Sequence, residues 1–477
     1  MTLLSPDSLP SNIQTLFPIP LEPFEEYLLR DESRHFPMTW VYEWRFEGCA
    51  QRDFLEKAFR EVVLYEPLLW AKVCKKRGRF YWELSEKPPR WEWHDHPGKT
   101  CDLGDSGIVN IVPVNVMHGP VMRVDVDCYD NALIIRCHVH HVVSDGLGIA
   151  KLVANWLALY ANMLGDTDDG LKPFFCHPER VTERGQLNVT LPEPVSFSTA
   201  VRSLVREVVN WFRRRPVCLE RTPIDKANDG FSNTETGELF PCLWRQLSPE
   251  LGLAFRNRAK SLGLSVNSLF LGDVFLFLKK WSAEISLPQN KRRFFRILIP
   301  INMRNDFHKD IPASNILGYV FLDRSPEQCV NDKNFMATID RDIQFIRDWS
   351  IGTMFLDGVR FFQRIPFALA YLASPRFCHS TTVVSNLGAF ALALPQERFR
   401  REKTIRVPGL ELKQLIGAPP VRPHTPITIG IITCGDRIFV NMTTEADYYR
   451  QGTADKFFND CVDFLEQQTM EAVYVNH

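Results

Sequence analysis

Apolar residues along the first third of the chain switch between the two-residue period of strands and the 3.6-residue period of helices. Thr39 to Phe46 alternates β-branched and aromatic residues, which predicts a strand, and Gln51 to Leu64 then spaces its apolar positions as a helix. Arg79 to Leu84 reads as a short strand after a Lys-Arg-Gly turn. Val121 to Cys128 and Ala132 to His140 read as a hairpin turned by Tyr129-Asp130-Asn131. From Gly146 to Leu164, the residues Ile149, Leu152, Val153, Trp156, Leu157 and Tyr160 fall on one helical face, and Gly165 is placed to end that helix.

From about Asp166 to Phe197 no period survives, as in a connecting loop, and a helix-like stretch from Ser198 ends at Arg213-Arg214-Arg215. A second lobe begins near Leu239. Ser248-Pro249-Glu250 has the chemistry of a helix start, with Gly263 as its stop, and Ser265 caps another helix running through Trp281. A strand over Arg296–Arg304 follows, then helical and apolar segments to Ala373 and a strand around Thr381–Ser385. Ile427–Thr433 and Arg437–Thr443 form a closing hairpin, and the last helix spans Thr453–Gln468. Strands and helices alternate in both halves, which predicts an α/β (α+β) protein of two lobes with mixed sheets. The divisions fall at residues 1–185, a crossover at 186–238, and 239–477.

Composition narrows this little. A chain of 477 residues is too long for one ordinary core, which supports two lobes. Hydrophobic residues at 45% and charged residues at 24% exclude global disorder and a fibre. Lys plus Arg at 56 against Asp plus Glu at 57 argues against a nucleic-acid binder. Twelve scattered cysteines without a C-x-x-C pair read as buried thiols in a reducing compartment. The start of the chain lacks the basic region of a signal peptide, and no eighteen apolar residues run together. The nearest run, Ile365 to Ala373, is flanked by Arg364 and Arg376. A cytoplasmic protein is expected, with peripheral membrane contact left open.

The chemistry concentrates in His138-Val139-His140-His141-Val142-Val143-Ser144-Asp145-Gly146. Strand alternation puts Leu133, Ile135, Cys137, Val139 and His141 on one face, and Ile134, Arg136, His138 and His140 on the other. His141 therefore ends the strand on its apolar side, where an imidazole stays neutral near pH 7 and can serve as a general base. Asp145, four residues on across a tight turn, suits a turn-closing carboxylate paired with a distant arginine better than a triad member. Metal binding by His138, His140 and His141 is disfavoured because they point to opposite faces, so no metal is expected. His94-Asp95-His96 reads as a polar loop.

HHVVSDG resembles the HHxxxDG signature of the CoA-dependent acyltransferase superfamily. That superfamily includes chloramphenicol acetyltransferase, peptide-synthetase condensation domains, wax ester synthases and polyketide-associated acyltransferases. SVNSLFLGDVFLFLKKW, ILIPINMR, VVSNLG and the closing hairpin ITIGIITCGDRIFVNM resemble segments of the wax ester synthase and polyketide-associated branch, in matching order. D-F-G-W-G, found in the plant BAHD branch, is absent. Tyr65-Glu66-Pro67-Leu68-Leu69 stands where condensation domains carry H-x-x-L-R.

The resemblance implies two chloramphenicol-acetyltransferase-like lobes with a tunnel at their junction. It implies transfer from an acyl-CoA, or from an acyl carrier protein, to a small or lipophilic alcohol without an acyl-enzyme. Acyl-CoA is then a co-substrate and no cofactor is bound permanently. His141 would be the base and Asp145 the turn-fixing acid, with His140 and Gly146 in support. Arg304 would pair with Asp145, and Ser385 or Asn386 would donate to the oxyanion. No CoA-binding residues are assigned. Arg202, Arg206 and Arg213 to Arg215 read as a solvated crossover helix, the alternative being contact with CoA phosphates or a membrane. Phe355, Phe361, Phe362, Phe367 and Tyr371 read as core or as lining of a lipid-holding tunnel. An N-acyl or condensation activity on a carrier-bound thioester is the competing reaction, and a non-catalytic binding relative is the competing class.

Overall fold

Two sheets, built largely from the segments that alternate in the sequence, carry the molecule. The computed structural model describes residues 9–187, 213–220, 226, 240–285 and 293–475. The first sheet runs Arg406–Val407, Leu410–Ala418, Thr39–Gly48, Ala132–His140, Met122–Tyr129, Arg90–His96. Only the last pair is parallel. The second runs Leu317–Arg324, Arg293–Asn302, Thr382–Ala389, Ile427–Cys434, Arg437–Thr444, Phe240–Gln246, Ser106–Ile111, with Thr382–Ala389 parallel to both its neighbours. Each sheet thus takes in a strand from the opposite half of the chain: Leu410–Ala418 joins the first, and Ser106–Ile111 the second.

The strand Ala132–His140 buries Leu133, Ile135, Cys137 and Val139 completely. The helix Gly146–Met163 buries Ile149, Val153, Trp156 and Leu157 in the same core, and Trp156 Nε1 donates to the Leu55 carbonyl of the helix Arg52–Val62 at 2.8 Å. On the sheet's opposite face Arg136 is held by Glu43 and Asp127. The second core gathers around the helix Val266–Glu284, whose Leu269, Phe270, Val274 and Trp281 are buried. Ser265 caps that helix through the Ser268 N–H at 3.0 Å, and Gly263 ends the preceding one at a φ of 69°.

Several expectations need correction. His94-Asp95-His96 lies in an edge strand, whose charged side chains pair sideways, His96 Nε2 with Asp127 Oδ1 at 2.7 Å. Leu317–Arg324, within the segment read as helical, is a strand. The aromatic run divides. Phe355 packs edge-on against Tyr27 at 5.6 Å, while Phe361, Phe367 and Tyr371 are 58%, 89% and 60% exposed. A left-handed turn at Phe367 (φ 63°), between the helices Gly352–Gln363 and Ala368–Leu372, turns that corner outward. None of the twelve cysteines is in a disulfide, but Cys49 is exposed and only five are buried. Among the described residues no single helix is long and apolar enough to cross a membrane. Arg202 and Arg206 lie outside the described residues, whereas Arg214 pairs with Asp323 at 3.6 Å.

Candidate active site

The motif strand ends at His140, and the chain turns through His141–Ser144 before Asp145 opens the next helix. His140 is fully buried with both ring nitrogens engaged: Nε2 lies 3.0 Å from Glu32 Oε1, and Nδ1 accepts from the Val142 N–H at 3.3 Å. It orders the turn. His138 faces elsewhere, its Nδ1 accepting from the Val112 N–H at 3.2 Å, and burial pushes its pKa down to about 3. The three histidines therefore do not converge.

Of the three motif histidines, His141 is the one that lines the cavity between the two sheets. Its Nδ1 is enclosed and forms no well-aligned hydrogen bond. Burial holds the imidazole below its ordinary pKa, partly offset by its own backbone and by the Asp145 carboxylate. The result is a neutral proton acceptor, with the Trp40 ring centred 6.4 Å away.

Asp145 is a structural hub. Oδ1 accepts from the Gly148 N–H at 2.9 Å and caps the helix, while Oδ2 accepts from Arg304 Nη1 at 2.7 Å and from the Ile316 N–H at 2.9 Å. Burial would push this carboxyl up, but Arg304 and the two backbone donors outweigh it and hold it below the usual range. With three donors so engaged and its pKa held low, the carboxylate is poorly suited to carry a proton. Gly146 is required here because a Cβ at that position would lie 2.4 Å from the Tyr42 hydroxyl.

A strap from the second half of the chain, residues 313–316, clamps this turn. Arg304 Nη2 donates to the Ser314 carbonyl at 2.9 Å. Asn315 Nδ2 donates to the carbonyls of His141 at 2.6 Å and Val142 at 3.0 Å. The strap is anchored by Glu66, which is buried, accepts from the Ala313 N–H at 2.6 Å and has its pKa pushed up to about 8 by burial. Neither Glu66 nor Asn315 has a sequence signal, since their partners are 247 and 174 residues away.

Ser385 and Asn386 also line the cavity, on the strand Thr382–Ala389. The Asn386 amide is occupied, donating to Asn267 Oδ1 at 2.8 Å and accepting from the Gly388 N–H at 2.6 Å. The Ser385 hydroxyl has no partner among the described residues. The arrangement offers a neutral base on one wall and a free hydroxyl donor on the other.

No protein-family model matches the chain, and no curated protein matches it. Solved structures do. Polyketide synthase associated protein 5 from Mycobacterium tuberculosis is 14% identical with a TM-score of 0.60, over 95% of this chain and 98% of that one. The starter condensation domain of rhizomide synthetase RzmA, a mutant in complex with C8-CoA and Leu-SNAC, gives 12% and 0.61 over 96% and 95%. SgcC5 from Streptomyces globisporus, in complex with a naphthyl ethanediol and sucrose, gives 15% and 0.55 over 94% and 98%. Likeness over nearly the whole of each chain shows that this protein has the two-lobed, mixed-sheet fold of the condensation-domain-like proteins.

Proposed function

We propose that the protein transfers an acyl group from a CoA thioester to an alcohol, with His141 as general base. The observation that carries this is the placement of the neutral His141 imidazole at a cavity shared by both sheets, beside a carboxylate held by Arg304 and two backbone donors. The acceptor O–H gives its proton to His141 and its oxygen attacks the thioester carbonyl. The C–S bond then breaks, and the imidazolium returns the proton to the leaving thiolate, giving ester and free CoA thiol. The Ser385 hydroxyl is the donor to the transient oxyanion, an interaction worth about 3 kcal/mol of barrier. In this reading the cavity is a stretch of a tunnel between lobes, approached by thioester and alcohol. The complexes of neighbours with C8-CoA and with a diol support donor and acceptor of these classes.

A second reading, condensation onto an amine from a carrier-bound thioester, is favoured by the neighbour complexed with Leu-SNAC. Free-thiol release with acyl-CoAs and alcohols, and in parallel with carrier thioesters and amines, separates the two. Release that requires an alcohol supports the proposal. Release only from the carrier with an amine overturns it, and none at all leaves a binding protein.

A further inference from the structure

The cavity holds polar groups that the transfer step does not use. Tyr27 of the helix Pro23–Asp31, Tyr319 of the strand Leu317–Arg324 and Tyr42 of the strand Thr39–Gly48 all line it. None of their hydroxyls has a hydrogen-bond partner among the described residues, although Tyr27 and Tyr42 are each only 3% exposed. None of the three hydroxyls is sealed inside the wall: each opens onto the cavity, where a bound ligand can supply the partner that the protein does not.

Tyr42 sits beside Gly146 and borders the motif turn. Tyr27 and Tyr319 belong to a separate wall. Their rings are set by aromatic packing, Tyr319 against Phe24 at 5.2 Å and Tyr27 against Phe355 at 5.6 Å, both edge-on, so the hydroxyls are held in place before any ligand arrives. Burial keeps both phenols protonated well above their ordinary pKa, so each can donate as well as accept. Next to them in the same lining, Arg422 Nη2 and Nε donate to Asp31 at 2.7 and 2.9 Å. That pair satisfies its own charges. A ligand carboxylate would have to displace Asp31, and a ligand cation would have to displace Arg422. The wall is therefore polar, oriented and electrically neutral.

We propose that Tyr27 and Tyr319, backed by the Asp31–Arg422 pair, form an acceptor subsite for a second hydroxyl, so that the substrate class is a neutral, multiply hydroxylated alcohol. This rests on the acyl-transfer reading, with the first hydroxyl presented to His141. Matched probes test it: 1-octanol against 1,2-octanediol and 1,8-octanediol, whose second hydroxyl lies beside the first or far from it. Affinity is measured by calorimetry on the full chain without acyl-CoA, and thiol release is followed separately with acetyl- to palmitoyl-CoA. Wild type binds one of the diols at least tenfold more tightly than octanol. Tyr27→Phe and Tyr319→Phe, which keep the rings, each lose most of that preference and leave octanol affinity unchanged. Equal affinity for octanol and both diols, or a preference that survives both variants, overturns the subsite. A Phe-sensitive diol preference without thiol release from any donor supports the subsite and overturns the transfer reading instead.

Discussion

Two buried aspartate–arginine pairs border the same cavity, and each joins the first half of the chain to the second. Asp145 meets Arg304 through one oxygen at 2.7 Å and spends the rest of its capacity on the backbone N–H groups of Ile316 and Gly148. Asp31 meets Arg422 through both oxygens at 2.7–3.3 Å, and the arginine's remaining Nη1 donates to the Phe377 carbonyl at 3.2 Å. The first is a node that shapes backbone beside the His141 imidazole. The second is a self-contained pair that joins two elements. The same two residue types thus do different work, and the difference lies in how many backbone donors reach the carboxylate.

The largest test of that contrast is His141→Ala, which removes the proposed base beside the Asp145 node. Turnover falls by about 10²- to 10⁴-fold while the thermal melt stays in place. A variant that keeps wild-type thiol release would remove the reason for setting the two pairs apart. Breaking each pair comes next. Asp145→Ala and Asp31→Ala each strand a buried arginine and lower stability by about 3–5 kcal/mol in denaturant titrations. Only Asp145→Ala also slows the molecules that remain folded. Equal loss of kcat per folded molecule in both would collapse the distinction.

Asn315→Ala probes the strap more gently. Removing an amide that holds two carbonyls costs about 1–2 kcal/mol and lowers kcat, with the KM for acyl-CoA unchanged. A rise in KM alone would place Asn315 in thioester binding. The smallest effect is in pH. Because burial holds His141 below the ordinary histidine value of about 6.5, the neutral base persists into mild acid. The acid limb of the kcat/KM profile therefore falls below pH 6.5, and activity drops as pH falls through it. A limb above 6.5 would mean that the imidazole is stabilised in its charged form.

Much of this site follows from local sequence pattern. The strand Ala132–His140 and the helix beginning at Gly146 sit where periodicity places them, because a two-residue alternation gives way to a helical stripe within six residues. What escaped is what depends on distant partners. Leu410–Ala418 carries a register shift between Leu412 and Gln414, which breaks the alternation that would announce a strand. Arg90–His96 is a polar edge whose charges are satisfied sideways, so it looks like a loop. Asn315, Glu66 and the Asp31–Arg422 pair reach across as many as 391 residues, and no window along the chain holds both ends. The aromatic run misled for the opposite reason: its composition suits a core, but only Phe355 packs inside, while Phe361, Phe367 and Tyr371 face outward around the turn at Phe367.

The exchange of strands between the sheets has a consequence for how the protein can be divided. A cut between residues 187 and 240 yields one fragment without Leu410–Ala418 beside Thr39–Gly48, and another without Ser106–Ile111 beside Phe240–Gln246. Each fragment carries an open hydrogen-bonding edge that its counterpart alone completes. The halves are interlocked complements, and neither keeps a complete sheet when separated from the other.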